Sequence, residues 1–322
     1  MGTVRFLIRR VLTGAIVVYV VSTLSFLLFF KAIPPIDVAR MLAGKAATPV
    51  QLQAVARTHG LDLPWYTQYG HYMWNLLHGN LGYSYYSQEP VTTIIKQGLP
   101  ATVSLVIGGV LLWLVLGLGV GILSATRPRS LFDRMSTMGV LAFVSAPAFV
   151  LGQLLILVVF VPLSQHGFTW ITTGYTPITS SLSGWVGAMV LPWFTLAIVQ
   201  AAVYTRLSRG SLLDTLGEDY IRTARAKGLS ERRVLYRHAV RAAMTPVISQ
   251  LGVDVGALLG GVVVVEQVFG LQGIGQTTVQ AIFQGDGQLV LGFVIIATVF
   301  VVVANLIVDM VYAGLDPRVR IN

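Results

Sequence analysis

Cysteine is absent from this chain of 322 residues, and charged side chains make up only 11% of it. The lack of cysteine excludes disulfide bonds, thiolate metal sites and cysteine nucleophiles. The charged fraction is well below the roughly 25% that is usual in soluble domains. Because 55% of the residues are hydrophobic, the composition excludes an ordinary globular protein and predicts a membrane protein.

Catalytic motifs are missing as well. No G-x-x-x-x-G-K-[ST] loop is present to cradle the phosphates of ATP, and Gly44-Lys45-Ala46 lacks both the earlier glycine and the hydroxyl residue. The sequence also has no His-Glu-x-x-His pair and no credible catalytic triad, which argues against an intramembrane enzyme. We therefore expect no catalytic residue, no metal site and no cofactor on this chain.

Acidic residues are few, 13 against 22 lysines and arginines, which gives a net charge of +9. Such an excess would suit nucleic acid, but the basic residues flank apolar runs. The most basic segment has only Tyr220 and Tyr236 as interleaved aromatic residues. No nucleic-acid partner is expected.

Several apolar runs of about 20 residues are long enough to cross the hydrocarbon layer as helices. They are continuously apolar rather than alternating, which excludes a barrel. The fold class is therefore predicted to be an all-α integral membrane protein with six transmembrane helices. The predicted limits of these helices are about 11–30, 100–125, 135–161, 185–204, 246–265 and 289–312.

Lysine and arginine lie mainly on one predicted side of the membrane, with 17 inside and five outside. All five outer residues fall in the long segment after the first helix, where the positive-inside rule is weak, so both termini are expected to be cytoplasmic. Residues 1–99 are predicted to form the first helix and a long extracytoplasmic segment. Residues 100–322 are predicted to form a five-helix core with a cytoplasmic loop at 205–245.

That loop, 205–245, carries nine of the 22 lysines and arginines and only four acidic residues. Its charge pattern predicts a short helix at 218–227, with acids in the first turn and cations in the last. Gly228 is placed to end this helix, and Ser230 to cap a second one. Ala224 and Gly228 are expected to leave a patch of small residues near the corner.

Two interpretations of the basic loop are open from its periodicity. A pair of basic amphipathic helices can lie on anionic lipid. However, such helices more often bury large tryptophan, phenylalanine or leucine residues, and the small residues near the corner favour close approach by a protein partner.

Two long motifs add a resemblance. The stretch Tyr220-Ile-Arg-Thr-Ala-Arg-Ala-Lys-Gly-Leu and its continuation to Arg241 resemble the cytoplasmic EAA loop of binding-protein-dependent ABC importers, in the form found in peptide and nickel permeases. Residues 260–275 also resemble that family, as do Asn305, Asp309, Tyr312 and Asp316-Pro-Arg. The similarity covers essentially the whole chain.

The resemblance implies a type I importer permease in the bacterial plasma (inner) membrane. Its partners would be a second homologous permease in a heterodimer, two ATP-binding subunits that hold ATP and magnesium, and an external substrate-binding protein. The substrates would be di- or oligopeptides, with nickel or another small solute as the alternative. The residues implied to couple the chain to the ATPase are Tyr220, Arg222, Thr223, Ala224, Arg225, Ala226, Lys227, Gly228, Leu229 and Ser230.

Two carboxylates are candidates for the translocation path. Asp254 lies in an otherwise uncharged run, where a carboxylate usually faces a cavity or a partner. It is predicted either to line the path and meet a cationic group such as a peptide ammonium, or to make a structural hydrogen bond to another helix or subunit. Glu266, at the outer end of the predicted fifth helix, is expected either to help in gating or meet the delivered substrate, or to be a carboxylate at the membrane interface that costs little free energy and has no such role.

A different class of transporter is the main rival function. An ion-gradient-driven secondary transporter commonly shows inverted repeats with paired broken helices, which we do not detect in this sequence. Such a transporter also has no need of a docking loop. A structural membrane scaffold is poorly supported, since it would not require Asp254 or spans interrupted by proline.

Overall fold

The computed structural model describes residues 2–32, 34–43, 47–58 and 60–315, so the Asp316-Pro-Arg motif lies outside the described residues. The described part is helical, with one isolated β-bridge between Tyr83 and Pro90. In chain order the helices are α1 Gly2–Ala32, α2 Pro35–Ala43, α3 Pro49–Thr58, α4 Trp65–Leu77, α5 Val91–Thr126, α6 Leu131–Val144, α7 Ala148–Gln165 with a π-helical turn at Ile156–Phe160, α8 Leu182–Leu216, α9 Asp219–Ala226, α10 Glu231–Arg233, α11 Val240–Phe269, α12 Ile274–Gln284 and α13 Gly287–Leu315.

Five of the described helices are long and apolar enough to cross a membrane. The prediction of an all-α membrane protein is therefore confirmed. The predicted fifth span, 246–265, lies within α11, which is not among the five, so the count of six helices stays a prediction. The five spans are Ile8–Leu28, Val91–Thr126, Ala148–Gln165, Leu182–Leu216 and Gly287–Met310.

At three prolines the observed helix boundaries differ from the predicted ones. Pro100 and Pro246 were expected to open spans, but each lies inside a longer helix, in α5 and α11. Pro147 lies within the single span that was predicted at 135–161. Instead α6 ends at Val144, and Pro147 is the N-cap of α7 with φ −62° and ψ 138°. This break follows from proline, which lacks a backbone donor and clashes with the preceding turn of a helix. Pro192 lies within α8.

The chain divides into two compact units. The first, called the core unit here, comprises 101–275 and 304–322 with the first three residues. In it, α5 and α8 approach at backbone distance: a Cβ atom at Gly121 would lie 2.8 Å from the carbonyl oxygen of Thr205, and one at Gly117 would lie 2.6 Å from Cβ of Tyr204. Gly117 and Gly121 therefore permit the close contact between the two helices, whereas a Cβ at Gly119 would meet open space.

The second unit, called the N-terminal unit, comprises 4–100 and 276–303. Here α4 packs on α1 through aromatic rings, with Phe26 5.4 Å from Tyr69 and 5.2 Å from Tyr72 between ring centroids. The hydroxyls of Thr23 and Tyr69 are 2.8 Å apart. Trp65 and Trp74 remain more than half exposed.

Asp286 joins two distant parts of the N-terminal unit. Its carboxylate is buried and accepts hydrogen bonds from the hydroxyl of Ser84 and from the backbone N–H groups of Tyr85 (3.1 Å), Tyr86 (3.2 Å) and Leu289 (3.2 Å). Burial, together with the negative charge of Asp286, raises the pKa of Tyr85 to about 12. Segment 79–90 is thereby fixed to the start of α13.

We expect Asp286→Ala to loosen segment 79–90, since each hydrogen bond to a charged group contributes about 1.5–3 kcal/mol. Chymotrypsin should then cleave after Tyr83 or Tyr86 about tenfold faster or more, because local opening controls such cleavage. Glu89→Ala, at an exposed position of the same segment, is the matched control. Equal cleavage rates for the two variants would contradict this role of Asp286.

Candidate functional site

The basic segment differs from its predicted limits at both ends. Residues 205–216, expected to lie in the loop, are the last turns of α8. At the other end α10 runs through a π-helical turn, Val234–Ala239, directly into α11. The predicted boundary at Pro246 is therefore wrong. The non-helical connections are limited to residues 217–218 and 227–230.

Helix α9 ends just before Gly228, as predicted, and its end forms a Schellman motif. The N–H of Leu229 donates to the carbonyl oxygen of Ala224 at 3.4 Å, and the N–H of Gly228 donates to that of Arg225 at 2.9 Å. Gly228 has φ +75°, a conformation that glycine adopts readily and other residues rarely do. Leu229 and Ala224 belong to the same apolar cluster, which supplies the hydrophobic contact typical of this motif.

A forked ion pair spans the glycine corner. Nε of Arg225 lies 2.8 Å from Oε1 of Glu231, and Nη2 lies 3.4 Å from Oε2. The two side chains are 41% and 71% exposed, so the pair contributes little to overall stability. Its two contacts connect α9 to α10 across the glycine corner.

The inner side of α9 is apolar. Ile221 is fully buried and Ala224 is 8% exposed. They pack in one cluster with Ala125 at the end of α5, Leu212 in α8 and Val234 in the π-helical turn. Ala224 therefore faces the protein interior, and the expected exposed patch of Ala224 and Gly228 is wrong. Residues three apart share one face of a helix, so burying Ile221 also buries Ala224.

The outer side of α9 is exposed, polar and basic. We call it the docking face and define it by five exposed residues. Tyr220 is 47% exposed, and Arg222 pairs with Asp219 at 3.3 Å while its side chain remains 72% exposed. No tryptophan, phenylalanine or leucine lies on this face. The members of the docking face are Tyr220, Arg222, Thr223, Ala226 and Lys227.

A buried ion pair lies beside this segment. Asp133, in the first turn of α6, is 4% exposed. Arg209 of α8 donates to both of its oxygens, from Nε at 2.6 Å and from Nη2 at 2.9 Å. The hydroxyl of Ser124 and the backbone N–H of Arg129 (2.9 Å) also donate to it. These donors hold the pKa of Asp133 well below its usual range, and Arg209 has the largest effect. We call these groups the Asp133 clamp.

The Asp133 clamp and α9 both contact the ends of α5 and α8. Ser124, which binds Asp133, precedes Ala125, which packs in the cluster beneath Ile221. Arg209 lies three residues before Leu212 of the same cluster. The ends of α5 and α8 thus hold the clamp and the inner side of α9 together. Asp133 was not predicted from the sequence, although Ser130-Leu-Phe-Asp133 is a capping pattern, and the hydroxyl of Ser130 accepts a hydrogen bond from the N–H of Asp133 at 3.2 Å.

Asp254 lies half-buried in α11 and has partners within the chain. The hydroxyl of Tyr204 donates to its Oδ2 at 2.9 Å, and Nε2 of Gln250 donates to its Oδ1 at 2.9 Å. The first bond crosses from α8 to α11, and the second runs along α11. Asp254 thus makes the hydrogen bond to a neighbouring helix that was one of the two predicted roles. Its place in a translocation path stays a prediction.

Glu266 is fully buried rather than placed at an interface. Its Oε1 accepts the hydroxyl of Thr102 at 2.5 Å, and that hydroxyl oxygen accepts the N–H of Ile274 at 2.8 Å. A Cβ atom at Gly273 would lie 2.6 Å from Oε2. The expectation that this carboxylate costs little is therefore wrong, since a buried charge needs such partners. Glu266 anchors the turn that follows α11.

Multiple helices able to cross a membrane, together with a basic helix-glycine-helix segment fixed to two of them, are the features expected of a transport permease. The family described as "Binding-protein-dependent transport system inner membrane component" matches residues 117–321, and the N-terminal family of the same components matches residues 3–106. The chain belongs to this family of ABC importer permeases.

Curated relatives match over nearly their whole length. A putative peptide transport system permease protein of Brucella abortus (strain 2308) is 36% identical over 314 residues, 98% of each chain. The glutathione transport system permease protein GsiC of Escherichia coli (strain K12) is 36% identical over 315 residues, again 98% of each chain. These matches confirm the resemblance and a multi-pass location in the bacterial inner membrane. The family implies a substrate-binding protein and ATPase subunits as partners.

Proposed function

We propose that this chain forms half of the translocation path of an ATP-driven importer for di- or oligopeptides. It would pair with a second homologous permease in a heterodimer and act with two ATP-binding subunits. The observation that carries the substrate class is the 36% identity, over 98% of the chain, to permeases named for peptide and glutathione transport. The chain would bind no cofactor, and ATP and magnesium would sit on the partner subunits.

The docking face and the glycine corner supply the coupling to ATP. Closure of the ATPase subunits would press on α9 from its exposed side. Because Ile221 and Ala224 are packed against the ends of α5 and α8, α9 would transmit that displacement to these two helices. The path would then change between inward and outward access by rigid-body movement. The residues proposed to form the coupling segment are Tyr220 and Arg222 through Ser230.

Asp254 is proposed to meet the peptide ammonium in the path. Asp254→Asn removes the charge and should lower uptake of peptides with a free amino terminus by about tenfold, the effect of about 1.4 kcal/mol. Tyr204→Phe removes the interhelical hydrogen bond but keeps the carboxylate, and it should retain most uptake. If Asp254→Asn only reduced the amount of protein in the membrane and left transport per molecule unchanged, the role in the path would be wrong.

Substrate class is tested by uptake in a deletion strain that expresses this permease only from a plasmid. Labelled dipeptides, tripeptides and Ni²⁺ are compared, with and without ATP depletion. We expect peptide uptake that stops when ATP is depleted, and ATPase subunits that co-purify with the tagged chain. Uptake of Ni²⁺ alone would replace the peptide assignment. Peptide uptake that survives ATP depletion, in a complex without ATPase, would support an ion-gradient-driven transporter instead.

A further inference from the structure

An open groove of about 510 Å³, lined by both apolar and polar residues, lies between α8 and α11 in the core unit. Arg206 and Asp214 of α8 both line it, with Ser211 between them and Gln250 on the facing helix. Both charged side chains are exposed. In the described ranges, neither has a hydrogen bond or an ion pair from its side chain. The groove therefore presents one positive and one negative group that have no partner within the described chain.

The two charges are spaced for a ligand that carries both signs. Arg206 and Asp214 are eight positions apart in one helix, which places their backbones about 12 Å apart along α8. An extended tripeptide spans about 10 Å from its ammonium to its carboxylate end. The long arginine side chain covers the remaining distance. The ammonium and phosphate of a zwitterionic lipid headgroup are closer together, so this spacing favours a short peptide.

Gln250 connects the groove to Asp254. Its side chain lines the groove and also donates to Oδ1 of Asp254 at 2.9 Å. Asp254 is the acidic residue in the apolar run of α11, one helical turn further along that helix. The side chain of Gln250 thus contacts Asp254 and also borders the groove that Arg206 and Asp214 line.

We propose that this groove is an exit subsite for zwitterionic short peptides. Arg206 binds the peptide carboxylate, Asp214 binds the ammonium, and Gln250 passes the peptide from Asp254 towards the cytoplasm. This assignment rests on the proposed import of peptides and adds a charge requirement, namely free amino and carboxyl termini. Since Arg206 and Asp214 belong to one rigid helix, the subsite requires no rearrangement of the chain to form.

The absence of cysteine makes a direct test possible. Ser211→Cys places a single thiol of this chain in the groove, and Met138→Cys, at an exposed position of α6, is the control. The complete complex in nanodiscs, without nucleotide, is treated with a maleimide reagent in the presence and absence of trialanine. Labelling is followed on this chain by its shift in mass.

We expect trialanine to slow labelling of the Ser211→Cys variant about threefold when its concentration is twice its Kd, and to leave labelling of the Met138→Cys variant unaffected. N-acetyl-trialanine amide, which lacks both charges, should give no protection. Adding Arg206→Ala or Asp214→Ala to Ser211→Cys should remove the protection by trialanine. Changing the nanodisc lipid from phosphatidylethanolamine to phosphatidylglycerol should leave the protection in place.

Several results would overturn the subsite. These are equal labelling with and without trialanine, equal protection by the blocked peptide, dependence of the protection on the lipid headgroup, or a thiol at position 211 that does not react because a partner subunit covers the groove. ATP-dependent peptide uptake by the same unlabelled preparation keeps the two proposals apart. Intact uptake without protection rejects the subsite alone, whereas absence of any peptide uptake rejects the proposed function.

Discussion

Gly228→Trp is expected to reduce ATP-coupled transport to background while the chain still inserts into the membrane in normal amount. A residue other than glycine at φ +75° costs about 1–2 kcal/mol, and the strain falls on the Schellman motif that ends α9. A Cβ at this position meets no other atom within 4 Å, so the side chain points into open space beside the docking face. It would therefore also obstruct a partner that binds there.

The measurement is peptide uptake and ATP hydrolysis by the purified complex, with membrane insertion followed separately. Gly228→Asn is the matched control, because asparagine tolerates a left-handed backbone better than other residues do. It should keep most of the coupled transport. Normal uptake by Gly228→Trp would indicate that the basic segment lies on lipid and couples to no partner.

Arg209→Ala is expected to lower transport by about tenfold at equal protein amount. It removes the ion pair of the Asp133 clamp, which lies next to the ends of α5 and α8 that pack against α9. The buried Asp133 would keep Ser124 and the N–H of Arg129 but lose both of its bonds to arginine. We expect ATP hydrolysis to continue with less peptide imported per ATP. Arg209→Lys, which keeps the charge but cannot form the fork, should recover part of the loss.

The exposed pair of Arg40 and Asp37, with side chains 57% and 42% accessible, provides the control. Arg40→Ala should leave transport unchanged, since exposed pairs contribute little. If Arg209→Ala lost protein amount and transport in the same proportion, the clamp would be structural only.

The pH dependence of the clamp follows from the lowered pKa of Asp133. A carboxyl with a lowered pKa contributes stability above its ordinary value, about 3.9, and loses it as the pH falls through the lowered value. The stability that the clamp contributes should therefore be constant between about pH 5 and 8, a range that lies above that ordinary value. The clamp does not act as a pH switch in that range.

Local features of the sequence predicted local features of the fold. The acids and cations of α9, and Gly228 after it, are signals that act within a few residues, and the structure has a helix at Asp219–Ala226 that ends in a left-handed glycine. Span limits were less predictable. An apolar helix continues through residues 205–216 because nothing in that stretch stops it, and proline fits inside a long helix when neighbouring groups satisfy the freed carbonyl.

The hydrogen-bonded clusters around Asp286 and Asp133 could not be predicted, because their members are far apart in the sequence. Asp286 binds residues near 85, and Arg209 binds Asp133. The burial of Glu266 follows from the turn that folds back over it, which composition does not reveal. The side of α9 that faces inward was predicted incorrectly for the same reason, since Ala125 and Leu212 supply the surface that covers Ala224.

Coupling through the docking face is the central claim, and a site-specific crosslink tests it most directly. Lys227→Cys, in a chain that has no other cysteine, is labelled with a benzophenone maleimide in the complete complex and irradiated. We expect an adduct between this chain and an ATPase subunit, and none when the probe is at Tyr86→Cys in the segment predicted to be external. Failure of the probe at position 227 to reach the ATPase, or equal crosslinking from both positions, would contradict it.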